Sequence, residues 1–388
     1  MPLDVKEQHI AVFGESGSGK TVLVSSFFGP TTEPASSNDL WDLIADNPGQ
    51  GARLTQNYLG MKNSSKTPQA TRFMATTYSF TVRLKGGQNS QPYQGLRLGW
   101  HDYPGEWFHE EPSSEEEGKR RIETFRSLLG SDVAFLLVDG QKLLDNKGEE
   151  ERYLKALVRN FRQGMLHLQD DILQDKGPLT RFPRIWIVAL SKADLFPEWN
   201  VHDFHDLVME KAGEDLAMFL ETLKPMVSAP EALSVGEDFM LLSSAKFELS
   251  SAGPEPVDID VRNQVGLDLI LPVAFMLPLE RIAQWMEQTQ IPMTVLRAFA
   301  AGAGGFANLL TDNRQLVESL LSMIPRVGSL AARAAVPAII DAALLVDDRL
   351  KEMNAQAREA QNNLAATLTQ FKIDLERGRA QGLLRRRT

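Results

Sequence analysis

The stretch that decides the fold is Gly14-Glu15-Ser16-Gly17-Ser18-Gly19-Lys20-Thr21. It fits the pattern G-x-x-x-x-G-K-S/T, which carries meaning only between a strand and a helix. Here a short apolar run, His9 to Phe13, precedes the glycines, and residues 21–28 have the pattern of a helix. The sequence therefore predicts a phosphate-binding loop at the point where a strand ends and a helix begins.

The residue types of this loop suit a bound nucleotide. Glycines allow successive backbone N–H groups to curl around phosphate oxygens, and the helix N-terminus adds partial positive charge. Lys20 can place its ammonium group against the β- and γ-phosphates, and the Thr21 hydroxyl can ligate Mg²⁺. We therefore expect residues 14–21 to bind a nucleotide together with magnesium.

A second motif, Asp102-Tyr103-Pro104-Gly105-Glu106, follows the predicted strand Gly95–Trp100. Asp102 can hold Mg²⁺ through a water molecule, and the Gly105 N–H can reach a γ-phosphate, so that the loop responds when this phosphate is lost. D-x-x-G alone is a weak pattern, and its place at a strand end after a P-loop favours this interpretation. His101 is interpreted as a packing residue rather than a base.

A third motif, Ser191-Lys192-Ala193-Asp194, closes the apolar run Ile185–Leu190. The Asp194 carboxylate can accept two hydrogen bonds from the N1–H and the exocyclic amine of guanine, a donor pair that adenine lacks. Lys192 can lie over the plane of the base. The alternative is that Ser191 or Asp194 is only a helix cap, since both residue types are good caps.

The fourth motif is Ser244-Ala245-Lys246, which follows the predicted last strand, Phe239–Leu242. The Ala245 N–H can donate to O6 of guanine. The tripeptide means nothing alone, and its order behind the other three motifs is the evidence for its role.

These four elements, in this order, resemble the G1, G3, G4 and G5 motifs of the Ras-like, translation-factor (TRAFAC) class of P-loop GTPases, over residues 8–290. The resemblance implies a mostly parallel α/β sheet flanked by helices and a Mg²⁺-dependent GTP/GDP switch. Residues 102–107, with residues 18–21 and the Lys-Ala-Asp of residues 192–194, also resemble the bacterial YcjX-like P-loop proteins. The predicted site residues are, for catalysis, Lys20, Thr71, Gly105 and Glu106; for Mg²⁺, Thr21, Asp102 and Thr71; and for the nucleotide, Gly14, Glu15, Ser16, Gly17, Ser18, Gly19, Lys20, Thr21, Lys192, Asp194, Ser244, Ala245 and Lys246.

Two residues depart from the family pattern. Ser191 stands where the G4 motif has Asn, so the amide that ties this loop to the P-loop is missing, and we expect weaker guanine affinity. Glu106 stands where a water-positioning Gln is usual, and its charge repels the γ-phosphate. We therefore expect slow intrinsic hydrolysis or a need for a partner. Glu106 as a solvent-facing switch residue stays an alternative.

The threonine of switch I is not fixed by the sequence. Thr71, just before the second predicted strand, is the first choice, followed by Thr67 and Thr76. Arg72 is either an internal arginine finger or a solvated residue at a strand edge, and the second interpretation is favoured.

The chain of 388 residues suits two units. We predict a G domain over residues 1–290 and an α-helical region over 291–388, where strand patterns vanish. Two long insertions, 29–70 and 109–121, lie near the switches, and the first contains a predicted helix near Asn38 to Ala45. The acidic segment 109–121 and residues 249–263 are predicted loops.

The chain has no cysteine and a formal net charge of −10, which excludes disulfides and argues against a general nucleic-acid surface. The N-terminus lacks an apolar signal core, and we expect a cytoplasmic protein. The predicted C-terminal region is a helical cap, a partner-binding or self-assembling module, or a peripheral membrane element that uses the terminal arginines. That basic tail is itself predicted to be solvated.

Three classes of function remain. The favoured one is a GTPase switch whose nucleotide state controls a protein partner. The alternative is a nucleotide-binding scaffold with little turnover that assembles through residues 291–388. An ATPase or kinase is disfavoured by the Lys-x-Asp and Ser-Ala-Lys elements and by the lack of an identified acceptor-binding lid.

Overall fold

The computed structural model describes residues 6–33, 40–68, 76–85, 95–102, 114–173, 178–179, 184–228, 230–249, 256–287, 351–355 and 363–386. The strands are β1 (Lys6–Phe13), β2 (Trp41–Ala45), β3 (Thr76–Leu84), β4 (Gly95–Asp102), β5 (Val133–Asp139), β6 (Ile185–Ser191), β7 (Ser234–Leu241), β8 (Lys246–Leu249), β9 (Pro256–Asp260) and β10 (Leu384–Arg385). The α-helices are α1 (Lys20–Phe28), α2 (Pro48–Ser64), α3 (Glu115–Leu128), α4 (Gly140–Asp145), α5 (Glu150–Leu173), α6 (Val201–Leu223), α7 (Ile270–Glu287) and α8 (Asn363–Ala380).

Eight of the strands form one sheet in the order β10-β7-β6-β5-β1-β4-β3-β2. The strands from β4 through β1, β5 and β6 to β7 are parallel, and β2–β3, β3–β4 and β7–β10 are antiparallel pairs. Every residue of β5 and β6 is buried, because helices cover both faces of the sheet. The predicted α/β class, a mostly parallel sheet flanked by helices, is confirmed.

Two apolar layers hold the helices on this sheet. Side chains of α1, α7 and α8 pack on one face, and side chains of α3, α5 and α6 pack on the other. The strands that enter the candidate site, β1, β5, β6 and β7, lie between these layers. Their carboxyl ends meet at one edge of the sheet, where open α/β proteins bind their ligands.

The predicted helix near Asn38 to Ala45 is wrong. Residues 41–45 form β2, which pairs antiparallel with β3, and Leu43 points into the core while Ile44 is exposed. Pairing with a distant strand has overridden the local pattern. The rest of the insertion holds α2, whose N-cap Asn47 accepts hydrogen bonds from two backbone N–H groups of the first turn.

Two predicted loops are also corrected. The acidic segment 109–121 is not a loop throughout, because α3 begins at Glu115. Glu115, Glu116 and Glu117 form the first turn of this helix, where the helix dipole stabilises carboxylates. Residues 256–260 of the predicted loop 249–263 form β9, which pairs antiparallel with β8. This small second sheet begins at Lys246, the last residue of the Ser244-Ala245-Lys246 motif, and packs on α2.

The end of the chain returns to the central sheet. Helix α8 packs on α7, and β10 pairs antiparallel with β7. Arg386 is only 9% exposed, because its guanidinium lies against the carboxylates of Glu280 and Glu376. The prediction of a solvated basic tail is therefore wrong at Arg386. Among the described helices, none combines the length and the apolar character needed to cross a bilayer.

Candidate functional site

The loop between β1 and α1 has the backbone of a phosphate-binding loop. Gly17 and Gly19 have φ angles of +84° and +88°, in the left-handed region that favours glycine. The Ser18 N–H donates to the carbonyl oxygen of Glu15 at 3.2 Å, which closes the turn. Helix α1 begins without a side-chain cap, so its first N–H groups are left to the loop or a ligand.

Lys20 lies inside this loop. It is 8% exposed, and its Nζ donates to the carbonyl oxygens of Gly14 at 2.7 Å and of Glu15 at 3.0 Å. These two hydrogen bonds hold the ammonium group against the backbone of the loop. A buried cation at this position is suited to charge-assisted hydrogen bonds with phosphate oxygens.

Thr21 and Asp102 meet next to the loop. Strands β1 and β4 are parallel neighbours, and their register places Asp102 opposite Val12, so that both strands end side by side. The Thr21 hydroxyl donates to the Asp102 carboxylate at 3.3 Å, and Asp102 is 4% exposed. A hydroxyl and a carboxylate oxygen are ligands that Mg²⁺ accepts, with substrate phosphates and water supplying the others. The residues present therefore fit a magnesium ion.

The ends of β6 and β7 bring together the two motifs that are predicted to bind the base. Asp194 accepts a hydrogen bond from the Ser243 hydroxyl at 2.6 Å. Lys192 has a left-handed φ of 54°, and its Nζ lies 2.8 Å from the carboxylate of Asp139. Ser243 and Asp139 belong to none of the four sequence motifs. Their contacts with Asp194 and Lys192 form only in the folded chain.

A cavity of about 310 Å³ joins these parts. Gly17, Ser18 and Gly19 line it from the P-loop. From the side of the third and fourth motifs, the lining residues are Ser191, Lys192, Asp194, Leu195 and the segment 242–245. Thr67, the second choice for switch I, also borders it, as does Phe247 of β8. The first, third and fourth sequence motifs thus face one cleft.

The remaining predicted site residues divide into two groups. Ser244 and Ala245 line the cavity, whereas Lys246 is exposed at the start of β8 and is not among the lining residues. The other group lies outside the described residues, and it consists of Thr71, Arg72, Gly105 and Glu106.

His101 next to Asp102 is a packing residue. Its ring is 6% exposed and contacts Nδ1 of His9 at 3.0 Å and the Thr77 hydroxyl at 3.1 Å. Burial, with the nearby charge of His9, lowers the pKa of His101 to about 3. The ring is therefore neutral at physiological pH, and both of its nitrogens contact residues of the neighbouring strands.

No family model and no curated protein matches the chain. Among solved structures, the chain is similar to the signal recognition particle receptor SRb-GTP/SRX complex from Chaetomium thermophilum, at 18% sequence identity and a TM-score of 0.32. The match covers 64% of this chain and 94% of that chain. A similarity at this level carries no argument about activity, which has to come from the site itself.

Proposed function

We propose that this protein binds GTP and GDP with Mg²⁺ and hydrolyses GTP as a molecular switch. The observation that carries the proposal is the shared cavity, which the P-loop residues Gly17–Gly19 and the base-side residues Lys192 and Asp194 line together. Its two ends have different chemistry, with the glycine-rich backbone of the P-loop at one end and Lys192 and the Asp194 carboxylate at the other. A guanine nucleotide matches both ends.

Binding of the phosphates falls to residues 14–21. The backbone N–H groups of the loop and the first turn of α1 donate to phosphate oxygens, and Lys20 adds its charge. Mg²⁺, held by Thr21 and through water by Asp102, would neutralise the negative charge on the phosphates. Thr71, as the switch I ligand, and the Gly105 N–H complete this end in the proposal.

Recognition of the base falls to the other end of the cleft. Ser243 donates to one oxygen of Asp194 and thereby fixes the orientation of the carboxylate towards a guanine edge. Ala245 lines the same cavity, and in the proposal its N–H donates to O6 of guanine while the methylene chain of Lys192 covers the base. Because adenine would place an acceptor where Asp194 needs a donor, the site rejects it.

Hydrolysis then requires an in-line water molecule and little covalent chemistry from the protein. Positioning and charge neutralisation supply most of the rate. Lys20 offsets the charge on the phosphates, and Glu106 orients the water in the proposal. Since a carboxylate near the γ-phosphate adds repulsion, turnover is expected to be slow without a partner.

The switch would act on another protein or on a second copy of the chain, in the cytoplasm. The switch segments and residues 291–388 are the proposed contacts, with no role for nucleic acid. The described end of this region supports a G-domain contact over a membrane role, because Arg386 is held by Glu280 and Glu376.

The proposal is tested by changing which base the site prefers. Asp194→Asn should lose GTP binding by about a hundredfold and gain xanthosine triphosphate, because xanthine offers an acceptor where guanine has its amine. Binding titrations and phosphate release are measured with GTP, ATP and xanthosine triphosphate. The matched control is Asp206→Asn on α6, whose side chain is 80% exposed and is not among the residues that line the cavity.

Equal binding of ATP and GTP by the wild type would refute the guanine assignment. Steady multiple turnover of GTP, with Mg²⁺ and without a partner, would exclude the scaffold alternative. Binding of GTP with no phosphate release even in single-turnover assays would instead reject the GTPase and leave the scaffold.

A further inference from the structure

The serine at the G4 position does not reach the P-loop. The Ser191 hydroxyl donates to the carbonyl oxygen of Val138 at 3.2 Å, which links β6 to β5 within the sheet. The side chain is short and 5% exposed, so this bond uses its single donor. Another connection has to hold the base-binding loop and the phosphate-binding loop at a fixed separation.

One ion pair starts at the P-loop. Lys142 of α4 donates to the carboxylate of Glu15 at 2.7 Å, although the two residues are 127 positions apart in the chain. The Glu15 side chain is 16% exposed and the Lys142 side chain 41% exposed. The pair therefore joins the first variable position of the P-loop to the first turn of α4.

A second ion pair starts at the base-binding loop. Asp139 accepts from Lys192 Nζ at 2.9 Å, and its side chain is 3% exposed. The same carboxylate caps α4 by accepting from the Gln141 N–H at 3.0 Å, and the Asp139 N–H donates to the hydroxyl of Tyr153 at 2.9 Å. Asp139 is thus fixed from three directions.

Helix α4 connects the two pairs at close range. It is six residues long, with Asp139 at its N-cap and Lys142 in its first turn. A Cβ atom added at Gly140 would lie 2.5 Å from the carbonyl oxygen of Ser191, so only glycine lets α4 approach the base-binding loop this closely. Because α4 is short, Asp139 and Lys142 are held at a fixed distance from each other.

We propose that Glu15, Lys142, Asp139 and Lys192, joined through α4, replace the tie that Asn makes in the G4 motif. We name this set the α4 brace. Its members are positioning residues: they hold the two halves of the cleft in the bound arrangement, which lowers the entropy lost when the nucleotide binds. The inference rests on the proposed function, because it assigns these pairs to the same guanine nucleotide site.

The test measures release of the fluorescent nucleotide mant-GDP, chased by excess GDP, from the full-length protein. Lys142→Met should speed release by about fivefold, a change suited to a half-exposed ion pair that orders a site. In Glu15→Gln or Asp139→Asn backgrounds the same substitution should speed release by less than about twofold, because either change already disables the brace. Asn keeps the helix cap of α4, so Asp139→Asn removes only the charge.

The matched control is Lys155→Met on α5, which removes a lysine paired with Glu151 at 2.5 Å and should leave release unchanged. Independent, multiplicative effects of Lys142→Met and Asp139→Asn would overturn the brace, as would an unchanged release rate in Lys142→Met. Failure of the proposed function looks different, because the wild type would then not bind mant-GDP at all.

Discussion

Four charged side chains, of which Glu280, Lys372 and Arg386 are buried and Glu376 is partly buried, hold α8 and β10 against α7. Lys372 is fully buried and donates to Glu280 at 2.5 Å and to Glu376 at 2.7 Å, and Arg386 contacts both carboxylates. Burial by itself raises the pKa of Glu376, but the charges of Arg386 and Lys372 outweigh it and lower this pKa to about 2. At the scale of single residues, the C-terminal end of the chain is held by charge.

This pKa gives a dependence of stability on pH. A carboxyl group whose pKa is lowered on folding stabilises the protein above its unfolded pKa of 4.5, and the effect is lost as the pH falls towards 2. The shift corresponds to about 3 kcal/mol. Glu376→Gln should therefore be less stable than the wild type at pH 7 by about 2 to 3 kcal/mol, with the gap narrowing below about pH 5 and closing towards pH 2.

Urea unfolding at a series of pH values measures that gap. Glu210→Gln, on the exposed face of α6, is the control and should stay within about 0.5 kcal/mol of the wild type. A gap for Glu376→Gln that is constant from pH 7 to pH 3 would contradict the charge network and would indicate that the substitution acts through packing alone.

At the scale of elements, the segment after β7 depends on one glycine. Ser243 and Val265 exchange two backbone hydrogen bonds of 2.9 Å, and Gly266 follows with a φ of +68°. A Cβ atom at Gly266 would lie 2.3 Å from the carbonyl oxygen of Leu241, which is backbone and has little freedom to move. Gly266 thus allows the chain to pass close behind the segment that lines the base end of the cleft.

We expect Gly266→Ala to destabilise the protein by about 2 to 4 kcal/mol, from backbone strain plus the clash, and to weaken GDP binding. Gly148→Ala is the matched control, because Gly148 has a φ of +89° but open space around its Cα. It should cost only about 1 kcal/mol and leave binding unchanged. Equal unfolding temperatures for the two variants would show that the close approach to Leu241 is unimportant.

Elements that depend on local pattern were predictable, and elements that depend on distant partners were not. The apolar runs of β5 and β6 and the P-loop motif define themselves within a few residues. Strand β2 does not, because Trp41–Ala45 becomes a strand only by pairing with β3. The acidic residues at 115–117 were predicted as loop because their charge was weighed and their favourable place in the first turn of α3 was not.

At the scale of the whole molecule, the sheet converts the order of the motifs into one cleft. The sequence placed the P-loop and the base-binding motifs at strand ends, and parallel pairing of β1, β5, β6 and β7 brings those ends together. The contacts of Asp194 with Ser243 and of Lys192 with Asp139 span 49 and 53 residues, so no local pattern signals them. The return of the C-terminus to β7 as β10 is equally non-local.

The division of the chain at residue 290 stays a prediction. The described C-terminal segments, α8 and β10, pack against the central sheet rather than apart from it. Helix α8 shares its apolar layer with α1 and α7, and the Leu241 N–H donates to the carbonyl oxygen of Leu383 at 2.9 Å. The last described residues therefore complete the central sheet, beside the segment that we propose binds the base.

The central claim is that a single cleft selects a guanine nucleotide with magnesium. Isothermal titration calorimetry of the full-length, nucleotide-free protein with GDP and with ADP tests it most directly, in Mg²⁺ and again in EDTA. We predict that GDP with Mg²⁺ binds at least about a hundredfold more tightly than ADP, because only guanine presents the donor pair to Asp194, and that affinity falls in EDTA. Equal affinities for the two nucleotides, or no heat of binding for either, would contradict the account.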